Sequence, residues 1–251
     1  MNYTIKIKKA IEEFNKYVKN FDFSNDMISK KYYHTFRVID YAKSIAESEK
    51  LNEHDIYLSI IIALLHDIGR FEQAKIYNTF IDLKSIDHGD LGFQILLKDN
   101  YISKYIDNEL DKNIVLTAIK NHNKYEIDKS LTDDRTIYFC KIIRDADKLD
   151  ILDKQRNEIN DNIKTIDSNT LEYIKSQKLF KRNGNISNDA SKIVQTLTFI
   201  FDLNFKKSFE IIKEQKIIDR KIDVLYNFCD SNIIDNIKEI IDTGTENLST
   251  I

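Results

Sequence analysis

The 251-residue chain contains no proline, no tryptophan, five glycines and two cysteines. Without proline and with so little glycine, almost nothing breaks a helix from within, and collagen-like, proline-rich and glycine-rich architectures are excluded. Two cysteines, Cys140 and Cys229, are too few for a disulfide scaffold and lack metal-type spacing, so a reducing cytoplasm is the expected setting. A strong charge of either sign is also missing. The 38 basic and 41 acidic residues are mixed along the chain and leave a formal net charge of -3, which argues against a broad surface for duplex nucleic acid. The longest apolar run, Ile60 to Leu65, is far too short to span a bilayer, and Met1-Asn2-Tyr3-Thr4-Ile5-Lys6 holds no signal-peptide core. No membrane partner is expected.

What the chain does have is Ile, Leu, Lys, Asn and Asp in long stretches whose apolar residues recur at three and four, the spacing of amphipathic helices. The expectation is an all-α fold of one domain, 1–251, with a chemically active core over about 28–155 and a helical extension over about 156–251. Helices are predicted near 4–20, 28–49, 54–68, 87–98, 111–122 and 133–148, then 150–163, 167–179, 189–215, 218–228 and 231–243. Loops are predicted at 21–26, 71–85, 123–133 and 181–188, the last around the turn signal Arg182-Asn183-Gly184-Asn185. Asn52 followed by Asp55 resembles a capping pair, and Gly69 is placed to let the helix before it stop.

Four of the five histidines fall among these elements in a way that suits metal binding. His66 and Asp67 stand side by side at a predicted helix end in Leu64-Leu65-His66-Asp67-Ile68-Gly69-Arg70. Neighbours inside a helix diverge by about 100° and cannot both aim along one line at one ion, but at a terminus they can serve different tasks. An imidazole gives one nitrogen to one metal, whereas a carboxylate can bridge two, so Asp67 is the expected bridge and catalytic carboxylate. His34 shares a helix face with Val38, Tyr41 and Ile45 and should point inward; a core histidine bonded to a carbonyl is the alternative. His88 opens a predicted helix, with Gly92 one turn on to permit close packing, and His122 ends one; capping or helix-dipole roles are their alternatives. Asp147 lies among apolar positions, where an unpaired carboxylate would be costly, while Asp145 is expected to be exposed or to stand behind the ligands. His54 reads as a solvated surface residue, and Cys140 and Cys229 as core.

His34, then His66-Asp67, then Asp147, in this order and with Arg144-Asp145-Ala146-Asp147-Lys148-Leu149 around the last, resembles the HD superfamily of metal-dependent phosphohydrolases over roughly residues 28 to 155. The resemblance implies an all-helical bundle, a mono- or dinuclear divalent metal centre, and hydrolysis of phosphoester or phosphoanhydride bonds, most often in nucleotides. His88 and His122 look like the extra ligands of two-metal members such as the HD-GYP phosphodiesterases. The chain departs from those in Asn121-His122-Asn123-Lys124, which has one histidine where they carry a pair, and in lacking Gly-Tyr-Pro. Cyclic-dinucleotide specificity is therefore not carried over.

By resemblance and ligand chemistry, His34, His66, Asp67 and Asp147 are expected to hold one ion, and Asp67, His88 and His122 a second. Imidazole and carboxylate ligands suit Fe, Mn, Co, Ni or Zn without selecting among them. Two ions about 3.5–4 Å apart would activate a shared water as the nucleophile, so no serine or cysteine is needed. Arg70, Lys148 and Lys124 are the candidate partners of the substrate phosphate. The expected enzyme is a phosphomonoesterase or phosphodiesterase acting on a small phosphorylated molecule, with a nucleotide favoured. Two alternatives stand beside it: a nuclease for single-stranded nucleic acid, for which Lys178 to Arg182 is a local basic cluster among otherwise scattered lysines, and a non-catalytic nucleotide-binding module.

Overall fold

A computed structural model describes residues 2–154, 157–181 and 187–249, and among them there is no strand. The chain forms two compact units, Met1–Asp147 and Lys148–Ile251. The first is built from α1 (Tyr3–Val18), α2 (Asp26–Ser48), α3 (Glu53–Leu65), α4 (Ile68–Tyr77), α5 (His88–Leu97), α6 (Glu109–Asn121) and most of α7 (Asp134–Lys154), with 3-10 turns at Asp82–Lys84 and Lys98–Lys104. In the second unit α8 (Ser168–Lys175), α9 (Asp189–Leu197), α10 (Lys206–Glu214), α11 (Ile217–Tyr226) and α12 (Ser231–Ser249) follow, with a 3-10 turn at Thr198–Asp202.

The abundant asparagine has a structural use. With no proline available to open helices, Asn and Asp side chains cap them: Asn2, Asn25, Asn52, Asp87, Asn108, Asp167 and Asn188 each accept a hydrogen bond from a backbone N–H of the first turn. The Asn52 and Asp55 pair behaves as its spacing predicts, with Asn52 Oδ1 accepting from Asp55 N at 3.0 Å.

Helix α3 organises the first unit. From Tyr57 to Leu65 every residue is buried, so this helix is apolar all round and can only be central. α1, α2 and α6 all pack against it. Phe14, Ile45, Leu58, Ile61, Ile62, Leu65 and Phe71 are among the fully buried side chains, and each such aliphatic or aromatic group removed from water contributes about 1.5–3 kcal/mol. In the second unit α8, α10 and α11 each lie against α12, and the buried residues are largely isoleucines such as Ile174, Ile193, Ile222, Ile234, Ile237 and Ile241.

The structure differs from the sequence expectations in several places. The stretch predicted as a loop over 71–85 begins inside α4, which runs to Tyr77 and ends on Asn78 in the left-handed conformation, φ 47°. Gly69 does not stop a helix; it lies in the first turn of α4, where a side chain would strike the backbone of α5. No separate helix forms over 150–163 among the described residues, because α7 itself continues to Lys154. The predicted helix over 189–215 is split by a 3-10 turn and by extended backbone at Leu203 and Phe205. The turn expected at Arg182-Asn183-Gly184-Asn185 lies outside the described residues.

Candidate metal centre

The end of the central helix delivers the doublet. α3 stops at Leu65, His66 caps it, and Asp67, at φ -103° and ψ 17°, is the hinge into α4. Because the helical path changes at Asp67, the two adjacent side chains can serve one centre. His66 donates from Nδ1 to the carbonyl of Ala63 at 2.7 Å, satisfying an acceptor that the end of α3 leaves open. His122 does the same at the end of α6, from Nδ1 to the carbonyl of Ile119 at 2.6 Å. In both, the capping duty fixes the ring and leaves Nε2 pointing away from its own helix. The helix-end role considered for His122 thus uses Nδ1, while Nε2 is turned toward the imidazole of His88.

Four imidazoles converge on the carboxylate of Asp67. Its Oδ2 lies 3.3 Å from His34 Nε2 and 3.4 Å from His66 Nε2, while its Oδ1 lies 3.4 Å from His88 Nε2 and 3.7 Å from His122 Nε2. One oxygen therefore faces one histidine pair and the other oxygen the second pair. Asp147 joins the first group, with Oδ1 3.1 Å from His34 Nε2 and 3.8 Å from His66 Nε2. Two sets of side chains have donor atoms close enough to share an ion: His34, His66 and Asp67, and Asp67, His88 and His122. All five are buried. The six residues singled out in the sequence thus meet at one place.

The donor set itself fits metal ions. His88 Nδ1 lies 2.7 Å from Asp82 Oδ2, so like His122 this ring carries its proton on Nδ1. The two Nε2 atoms nevertheless face each other at 3.1 Å, and those of His34 and His66 at 3.2 Å. For His88 and His122, whose Nδ1 atoms carry the protons, two Nε2 lone pairs in a buried site at that separation call for a cation between them. Imidazole nitrogens about 2.0–2.1 Å from one ion are spaced in this way when they occupy adjacent coordination positions.

The electrostatics agree. Burial, reinforced by the Arg70 charge, pushes the His88 imidazole down to about 3, against the pull of Asp82 and Asp67, and burial likewise lowers His66. Neutral imidazole is the form that ligates. Burial alone would raise Asp67, but Lys31 and His66 beside it hold its carboxyl well below the usual range. Asp147 is likewise held low against its burial by His34 and His66.

Two important groups escaped the sequence reading. Lys31, one turn before His34 on α2, places Nζ 2.5 Å from Asp67 Oδ2 and 5.6 Å from the centre of the Phe80 ring. Asp82 lies in the 3-10 turn and touches His88. Helical spacing relative to His34 was the available signal for Lys31; none marked Asp82. Of the cations expected at the phosphate, Arg70 is buried and its Nη1 donates to Asp82 Oδ1 and to the carbonyl of Phe80, both at 2.8 Å. Lys124 pairs with Asp87 and Asp90 at 2.8 Å each, and Lys148, in the second unit, with Asp202 at 2.8 Å.

Other expectations are corrected by packing. His54 is half-buried, with Nε2 3.0 Å from Asp111 Oδ2 and Nδ1 3.2 Å from the Tyr3 hydroxyl, and is not a freely solvated residue. Asp145 is fully buried, which removes the exposed alternative for it and leaves the one behind the ligands. Cys140 is core, and burial pushes its thiol up to about 12, so it is no nucleophile at neutral pH. Cys229 is only half-buried.

Comparisons with known proteins bear on this geometry. The HD domain family profile matches residues 32–152, a segment that contains all six converging residues. No curated protein matches the chain. Among solved structures, one described as a predicted HD superfamily hydrolase from an uncultured Thermotogales bacterium is 22% identical, covering 87% of this chain and 98% of that one with a TM-score of 0.43. No helix among the described residues is long and apolar enough to cross a membrane. With the His-Asp doublet at the heart of the matched segment, residues 32–152 of the chain are similar to the HD domain family, and the converging histidines and aspartates all lie within that match.

Proposed function

We propose that the protein is a two-ion phosphohydrolase that cleaves a phosphoester or phosphoanhydride bond in a small phosphorylated molecule, with a nucleotide as the favoured substrate. The observation that carries this reading is the division of Asp67: one carboxylate oxygen faces His34 and His66, the other His88 and His122. His34, His66, Asp67 and Asp147 would hold one divalent ion, and Asp67, His88 and His122 the other. When bound, such ions supply Lewis acidity and acidify water toward neutrality.

The protein's own residues do the rest. The Nδ1 bonds of His66, His88 and His122 fix three rings before any ligand arrives, so little ordering remains to be done at the site. The buried setting strengthens each electrostatic interaction at the reacting phosphorus. Lys31, already beside Asp67, is the cation best placed to receive phosphoryl oxygens, and Lys124 is a second. No serine or cysteine nucleophile is required.

The test is chelation followed by readdition of Mn, Fe, Co, Ni or Zn, with phosphate release followed across nucleotides, phosphomonoesters and phosphodiesters. The expected result is two ions per chain and metal-dependent hydrolysis, with both lost in Asp67→Ala. Two bound ions with no hydrolysis across the panel would sink the reading in favour of a binding role.

A further inference from the structure

His88 solves the problem of ring orientation differently from His66 and His122. Those two end helices, where unpaired carbonyls are at hand. His88 is the first residue of α5, where the unpaired backbone groups are N–H donors and no helical carbonyl precedes it. Its Nδ1 must find an acceptor elsewhere, and it finds the Asp82 carboxylate at 2.7 Å.

Asp82 is itself firmly held. Its Oδ1 accepts from Arg70 Nη1 and Gln73 Nε2, each at 2.8 Å, and its Oδ2 also faces Asn123 Nδ2 at 3.4 Å. Gln73, fully buried on α4, additionally donates to Ser85 Oγ and the carbonyl of Ile86, both at 2.9 Å, and accepts from Arg70 at 2.6 Å. The segment bearing Asp82 is therefore clamped to the helix that begins at the doublet. Arg70 turns one face toward this clamp and its Nε toward Asp67, 3.6 Å from Oδ1.

We propose that Asp82 is a positioning residue for the second ion, resting on the two-ion reading above. It locks His88 as the Nδ1–H tautomer, aims Nε2 at the ion and raises the ring's basicity as a ligand. Arg70 acts through Asp82, and its main duty is to hold that carboxylate in place. The first ion has no such carboxylate behind His66, whose Nδ1 bonds a carbonyl, so loss of Asp82 affects the two ions unequally.

Calorimetric titration of chelator-stripped protein with Mn, alongside elemental analysis, tests this. Wild type should take two ions. Asp82→Asn should weaken the second by about 10–100-fold and leave the first unchanged, with Asp82→Glu recovering part of the loss. The unfolding midpoint of each stripped variant separates this from general damage: equal weakening of both ions, or an unchanged second ion, overturns the proposal. Imidazole nitrogen NMR on stripped wild type needs no variant to fold, and His88 found as the Nε2–H tautomer also overturns it. Fewer than two ions in wild type would instead defeat the underlying two-ion reading.

Discussion

A Cβ built on Gly69 would lie 2.3 Å from the carbonyl oxygen of His88 and 2.7 Å from the backbone nitrogen of Gly92. The start of α4 and the start of α5 touch backbone to backbone, which brings the doublet and His88 together. Gly69→Ala should therefore destabilise the protein by about 2–3 kcal/mol, although alanine by itself favours a helix by about 1 kcal/mol. Gly92→Ala, whose nearest contact is Ile68 Cγ2 at 3.3 Å, should cost less. Urea midpoints for the two variants check the order, and equal midpoints would refute it.

Arg144 is buried and donates to the carbonyls of Asn121 at 3.2 Å, Lys124 at 2.5 Å and Tyr125 at 3.1 Å. It ties the chain on both sides of His122 to the helix that bears Asp147. Arg144→Met should cost about 1–3 kcal/mol, because the buried Asn121 carbonyl and two part-buried carbonyls lose their donor, and should loosen His122. Arg144→Lys, which can serve fewer carbonyls at once, should fall between. Chemical denaturation gives the first quantity; metal stoichiometry gives the second, with the ion at His88 and His122 expected to weaken first.

Asp167 caps α8 in the second unit. Its Oδ1 accepts from Thr170 N and its Oδ2 from the Thr170 hydroxyl, each at 2.8 Å. Although burial pulls the other way, these bonds and the Ser191 hydroxyl lower its pKa. A lowered folded value means the stabilisation is complete above the unfolded pKa of about 3.9 and is lost as pH falls through the folded value. Asp167→Ala should cost about 1 kcal/mol at pH 7 and less at pH 3. Denaturation curves of both proteins at the two pH values make the comparison; a gap that widens in acid would contradict the sign.

The sequence made the ligands legible because their chemistry is unusual for their positions. A histidine on an apolar face, a His-Asp pair at a helix end and an aspartate among isoleucines each ask for a partner. Asp82 carried no such signal and Lys31 only its helical spacing from His34: a lysine on a helix and an aspartate in a polar loop are ordinary solvated residues until the fold places them beside Asp67 and His88. α4 was hidden for a related reason. Its apolar positions Ile68, Phe71 and Ala74 keep a helical spacing, but Gly69 reads locally as a stop, and only the contact with α5 explains it. In the second unit, apolar spacing runs on through Leu197, Ile200 and Leu203, so the break between α9 and α10 left no mark on periodicity.

The facing nitrogens of His88 and His122, and of His34 and His66, have a consequence for the protein before any substrate arrives. Ions that bind these nitrogens in the native state, and bind the unfolded chain weakly, make the folded fraction a function of free metal concentration. At a hundredfold excess over the dissociation constant, each such ion adds about 2.7 kcal/mol. On the two-ion proposal, starving the chain of metal would therefore lower its folding stability along with any activity.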